Sequence, residues 1–341
     1  MNQEFSSTKT CVSSGLMPIA RNEVPSLMPG KVEKSYRLRL HLLTLLILAV
    51  VSGCAKPSAY KAPVGKFRDA SMVVIQSTKV YLTELNKVER DQYIYSQASK
   101  PEQIKLNEIE QVQVFSKEGI AARLNALDQL SSYVDLLNQL ANSTAPETIK
   151  TKASDLQTSL TNLSGQIKTL SGEDDKQFKN VAGTVLPIIG DVLQAFADQA
   201  IENALKKAIT VGAGPVNQLI QAIEQDATVA YERKRNRFSA MRVMLIDQYN
   251  REFEKGKNAE PEKLKAYADA ISAEEDRWEA FLTAQPTDGL EAMKSANQAL
   301  VQFAGTSKPS VSDIARFVDA MDSFAATAVR VGRAVQALSG K

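Results

Sequence analysis

Histidine occurs once in the 341 residues, cysteine twice and tryptophan once. So few His and Cys exclude most Cys/His zinc sites and any disulfide framework. Charge of one sign is also missing: 41 Lys and Arg stand against 39 Asp and Glu, which gives no cationic excess for a nucleic-acid backbone. Strand-type alternation is almost absent, and Val112-Gln113-Val114 is too short to count. No apolar run reaches the roughly 20 residues of a spanning helix. With only 12 Pro and 16 Gly, and with abundant Ala, Leu, Gln and Lys, the composition leans towards helix. A hydrophobic content of 44% is enough for a packed core and excludes wholesale disorder.

The sharpest feature lies near the front. Lys31, Lys34, Arg37 and Arg39 precede a twelve-residue apolar run, Leu40 to Val51, which ends in Val51-Ser52-Gly53-Cys54. A basic patch, a short apolar stretch and small residues at a cleavage point describe a secretory signal peptide. Small residues fit because a peptidase must thread extended backbone past its catalytic groups. Val51-Ser52-Gly53-Cys54 resembles the lipobox of bacterial lipoproteins, a branched apolar residue and two small ones before a Cys. The resemblance covers this segment alone. It implies cleavage between Gly53 and Cys54, diacylglycerol on the Cys54 thiol and an N-acyl chain on the new amine, with no other cofactor. Two or three acyl chains hold a protein stably in a bilayer, at about 0.8 kcal/mol per buried methylene. Ala55 rather than Asp follows Cys54, a pattern that in Gram-negative lipoproteins favours the outer membrane. Residues 1–27 show no periodicity, and a start at Met28 gives a leader of ordinary length.

Cleavage changes the chemistry that remains. Residues 1–53 hold six of the basic and three of the acidic side chains, leaving 35 and 36. His41 leaves with the leader and Cys54 becomes a thioether. Ser-His-Asp and Cys-His catalysis, His acid–base chemistry and His or Cys metal ligation are thereby lost. Carboxylate-only catalysis survives in principle, but no Asp/Glu spacing supports it, and a non-enzymatic role is expected with no metal site.

Residues 54–66 carry Pro57, Pro63, Gly65 and three Lys; they read as the lipidated Cys and a flexible tether. A single helical domain is expected over 67–341. In 120–141 the apolar phase is Ile120, Leu124, Leu127, Leu130, Val134, Leu137 and Ala141. In 149–170 it is Ile149, Ala153, Leu156, Leu160, Leu163, Ile167 and Leu170, a 4,3 seam for another helix. Ser99-Lys-Pro-Glu102 and Thr144-Ala-Pro-Glu147 fit the capping-box pattern, and Asp288-Gly-Leu-Glu291 is a looser version. Gly212-Ala-Gly-Pro215, 257–261 and 305–309 read as turns. The spacing predicts helices over 67–97, 101–142, 147–171, 176–210, 215–256, 261–284, 288–304 and 310–338. The fold class is all-α, an elongated bundle of long amphipathic helices.

Three segments invite a functional reading. Residues 181–212 begin with an uncharged stretch disturbed by Gly183, Pro187 and Gly190. They suit either a buried hairpin or, as in α-helical pore-forming toxins of the cytolysin A type, a membrane-inserting head. Asp191, Asp198 and Glu202 interrupt the apolar surface and favour the hairpin. Arg233, Lys234, Arg235 and Arg237 are four cations in five residues. They fit either contacts to an anionic partner such as lipid phosphate or peptidoglycan carboxylate, or a solvated, salt-bridged face. Glu274-Glu-Asp276 reads as a surface acidic run, with Trp278 in the core phase. The function expected is therefore a lipid-anchored structural or interaction module of the bacterial envelope, partnered by an envelope protein or peptidoglycan and not by nucleic acid. The alternative is a membrane-active protein using 181–212.

Overall fold

The computed structural model describes residues 58–99, 102–142, 146–196 and 201–338. Among them there is no strand. The helices are α1 (Ser58–Ser99), α2 (Leu106–Gln111), α3 (Lys117–Asn142), α4 (Pro146–Lys168), α5 (Lys176–Phe196), α6 (Ile201–Phe253), α7 (Pro261–Thr283), α8 (Thr287–Gly305) and α9 (Val311–Leu338). The all-α class holds. The bundle is long because its helices are: the 53 residues of α6 span about 80 Å at 1.5 Å per residue.

Helices α3, α4, α5 and α6 pack as one four-helix group, and α1, α6, α8 and α9 as a second. Because α6 belongs to both groups and α1 also packs on α3, one continuous core runs through the body. The 4,3 seam predicted over 149–170 is buried at all seven positions, six in α4 and Leu170 just past its end. In α1 the buried positions follow the same spacing, at Tyr60, Val64, Phe67, Ser71, Val74, Thr78, Tyr81, Leu85 and Val88. Tyr60 meets Phe303 edge-on, with ring centroids 5.0 Å apart, and Phe67 packs on Phe324 at 5.8 Å.

Several expectations are corrected. The tether over 54–66 is helical from Ser58, nine residues earlier than predicted, with Pro63 inside α1. Burial of Tyr60 and Val64 against α8 and α9 outweighs the turn-forming residues around them. The single helix expected over 101–142 is broken at 112–116. There the Asn86 side chain replaces a helical partner for Phe115, donating to its carbonyl and accepting from its N–H, both at 3.1 Å. Ser116 then caps α3, its hydroxyl accepting from the Gly119 N–H at 2.9 Å.

Gly212-Ala-Gly-Pro215 is no turn. It lies inside α6, where Ala208, Ile209, Val216, Leu219 and Ile220 are buried on one face, so packing overrides the breaker residues. α5 is described to Phe196 and α6 from Ile201, and 197–200 lie outside the described residues. Gly183, Pro187 and Gly190 leave α5 unbroken. Asp288 and Glu291 lie within the first turns of α8 rather than at its cap. A capping box does open α9: Asp313 accepts from the Ser310 N–H at 2.8 Å, and the Asp313 N–H donates to the Ser310 hydroxyl at 3.2 Å.

Candidate functional site

Gly53 and Cys54, the expected cleavage and lipidation positions, lie outside the described residues. The structure bears on the rest of the candidate residues.

The basic cluster does not act as one patch. Lys234 is fully buried and pairs with Glu89 of α1, itself 3% exposed, at 3.0 Å. Arg233 reaches back to the Asp174 carboxylate, and Arg235 pairs with Glu232 at 3.3 Å. The side chain of Arg237 lies outside the described atoms. A salt-bridged surface describes Arg233 and Arg235; Lys234 departs from both readings, because α6 turns it inward.

The acidic run is corrected in the same way. Glu274 is buried, and burial raises its pKa, with Arg277 at 3.3 Å opposing. Glu275 clasps Arg242 with both oxygens, at 2.6 and 2.7 Å. Trp278 packs against the core beside Phe281, as the phase predicted.

The densest polar chemistry surrounds a residue that the sequence did not single out. Arg123 of α3 is fully buried. Its Nε donates to Asp226 Oδ2 at 2.7 Å, and one terminal nitrogen donates to Asp175 Oδ1 at 2.6 Å and to the Gly119 carbonyl at 3.0 Å. The other donates to the Asp174 carbonyl at 3.2 Å. The guanidinium lies between the Phe115 and Phe178 rings, 4.0 and 4.7 Å from their centroids. Asp175 is held in a short 3-10 turn, Glu173–Asp175. Only glycine fits at 119, since a Cβ there would stand 2.5 Å from Asp175 Oδ1.

This group ties the 112–116 break, itself held by Asn86 of α1, to α3, the 173–175 turn, α5 and α6 at one level of the bundle. Burial raises the pKa of Asp226, with Arg123 pulling the other way. A buried carboxylate of raised pKa is a mark of functional sites as well as of structural ion pairs. Here both carboxylates are turned onto Arg123, and Asp226 is only 6% exposed, so the arrangement works as an internal tie. A signal existed in the sequence: Arg123 lies four residues before Leu127 in the buried 4,3 phase of α3, and Asp226 lies three after Ile223 in that of α6. A charge in an apolar phase needs a partner of opposite sign.

Residues 181–196 and 203–212 supply core. Ala182, Val185, Leu186, Ile189 and Leu193 of α5 are buried, as are Ala204, Leu205, Ala208 and Ile209 of α6. Among the described residues no helix is long and apolar enough to cross a membrane, and no three His, Cys, Asp or Glu side chains converge as metal ligands. A surface groove of about 1000 Å³ runs between α1, α3 and the end of α9, past Met72, Val80, Leu124 and Val335. No protein-family model, curated protein or solved structure matches the chain.

Proposed function

We propose that the chain is a bacterial envelope lipoprotein, anchored through acyl chains on Cys54, whose helical body serves as a structural or interaction module. The observation that carries this reading is Val51-Ser52-Gly53-Cys54, placed directly after twelve apolar residues and a basic patch. Ala55 favours the periplasmic face of the outer membrane. The partner is an envelope protein or peptidoglycan, and the role is not enzymatic. A folded start at Ser58 supports a body held close to its anchor, because it leaves three residues in place of a twelve-residue tether, whose reach would be roughly 20 Å. The membrane-active alternative requires 181–212 to leave a core in which Leu186 is 0% exposed.

The test is metabolic labelling with a palmitate analogue in a Gram-negative host. The natural chain incorporates label and is cut, while Cys54→Ala stays unlabelled and uncut. Equal labelling of the two refutes the anchor.

A further inference from the structure

We propose that the distal end of α6, from Ser239 to Phe253, is a parallel coiled-coil interface for a second copy of this chain. The last turns of α6 pair with α7 as an antiparallel hairpin, and only one face of α6 is used. Phe238, Met241, Leu245 and Glu252 are buried. The neighbouring face carries Val243 at 56% exposed, Ile246 at 41% and Phe253 at 63%. With Ser239 and Asn250 they recur at spacings of 4, 3, 4 and 3, which at 100° per residue keeps all five within about 80° of one another. This is a heptad seam with no helix among the described residues laid on it.

The pattern itself says what covers the seam. With Val243 and Asn250 at the a positions and Ile246 and Phe253 at d, a β-branched residue and a lone Asn share the a layer. In a parallel pair Asn250 faces Asn250 of the second copy, and an a-position Asn fixes register and strand number; that contact, rather than Ile246 and Phe253 at d, is what selects two parallel strands. The flanks agree. In a parallel pair each g side chain meets the e side chain five residues further along the other strand. Arg242 then meets Asp247 of the second copy, and Tyr249 meets Glu254, on both sides of the axis. In an antiparallel pair e faces e and g faces g. The e positions are Ala240, Asp247 and Glu254, none of them basic, so every antiparallel register lacks an opposite-charge pair and some juxtapose like charges. Arg242 already binds Glu275 through two of its five donors, so it reaches Asp247 of the second copy as a shared partner.

The geometry suits copies standing on one surface. Both α1 and α6 run antiparallel to α3: Arg68 meets Asp135 and Lys79 meets Asp128, while Asp226 meets Arg123 and Ala208 meets Tyr133. So α1 and α6 run the same way. A two-fold axis along α6 puts both Ser58 ends on one side, with Val243 about 50 Å beyond the level of Ala208. Two heptads make a weak interface in solution, strengthened when anchoring raises the local concentration. The interface itself does not depend on the anchor, so its test is made without one.

The test uses the body from residue 58 onward, which has its own core, in sedimentation equilibrium up to about 1 mM. A reversible monomer–dimer equilibrium is expected. Ile246→Glu and, separately, Phe253→Lys weaken it by about tenfold or more with the melting temperature unchanged, since both residues are exposed. Asn250→Cys, in a body that otherwise has no cysteine, forms a disulfide dimer on mild oxidation, because in-register parallel strands bring the two thiols together. A strictly monomeric body overturns the proposal. So does a dimer that survives both exposed substitutions, or one that Asn250→Cys fails to cross-link.

Discussion

Arg123 shows what a charge does where the fold leaves it no water. Its guanidinium is placed by four oxygens and two rings, and without it the carboxylates of Asp175 and Asp226 would be left buried with no cation. Removing one member of such a cluster costs about 3–5 kcal/mol, while replacing all of it with well-packed hydrophobic residues of similar volume is often close to neutral. Arg123→Met is therefore strongly destabilising, and adding Asp175→Asn and Asp226→Asn recovers part of the loss, because it removes the stranded charges but leaves two buried amides. The pH dependence has a definite sign. Burial holds the pKa of Asp226 above its ordinary 3.8, and Arg123 is the opposing influence. The charged form is thus held at an expense that disappears on protonation, so this group's contribution improves as pH falls through its folded value and levels off below 3.8. Without Arg123 that folded value rises further. The melting deficit of Arg123→Met is expected to shrink between pH 7 and pH 5; an equal deficit at both, by thermal melting in matched ionic strength, contradicts the account.

At the scale of elements, two features sit at the turn of the α6–α7 hairpin. Gly256 has φ +58, a left-handed conformation that other residues enter at a cost of roughly 1–2 kcal/mol. Glu252 accepts from Lys255 Nζ at 2.7 Å and from the Glu260 backbone N–H at 2.9 Å, and these two bonds, the lysine's foremost, hold its pKa below 4.5. Its contribution is full above the unfolded value near 4.5 and is lost as pH falls through the lowered folded one. Glu252→Gln should raise hydrogen-exchange rates across 250–264 at pH 6.5, and the gap between the two proteins should narrow steadily as pH falls below 4.5 once intrinsic rates are corrected. A gap that stays constant down to the acid unfolding of the natural protein rules out the carboxylate as its source. Elements of this kind were partly legible. The seam of α4 could be read outright, because its apolar spacing had no competitor. The break at 112–116 could not, since it depends on Asn86 reaching a backbone 29 residues away. Gly212 and Pro215 misled for the converse reason: local breaker chemistry is weaker than a helix face packed on both sides. Arg123 and Lys234 were visible only as charges in an apolar phase, and their partners come from helices far off in sequence.

For the whole molecule the question is whether 181–212 is the body's keystone or a device folded away for use elsewhere. α5 lies between α4 and α6, and Ser164 of α4 donates to the Gly183 carbonyl at 2.9 Å. Its buried face holds Val185, Leu186, Ile189 and Leu193, while Thr184, Ile188 and Asp191 face outward. One dry face and one wet face suit a bundle; a segment built for lipid would be apolar all round. Withdrawing α5 would also strip the apolar faces of α4 and α6, which are long, continuous and matched to it. Leu186→Asp then places a carboxylate at a fully buried position, where Asp175 and Asp226 each need Arg123. The expected loss is several kcal/mol, seen as a large fall in melting temperature of the body from residue 58 onward. In parallel, the natural body releases no dye from lipid vesicles. An unchanged melting temperature in Leu186→Asp, together with strong dye release by the natural body, would reverse the order of the two readings and make the segment a membrane-inserting one.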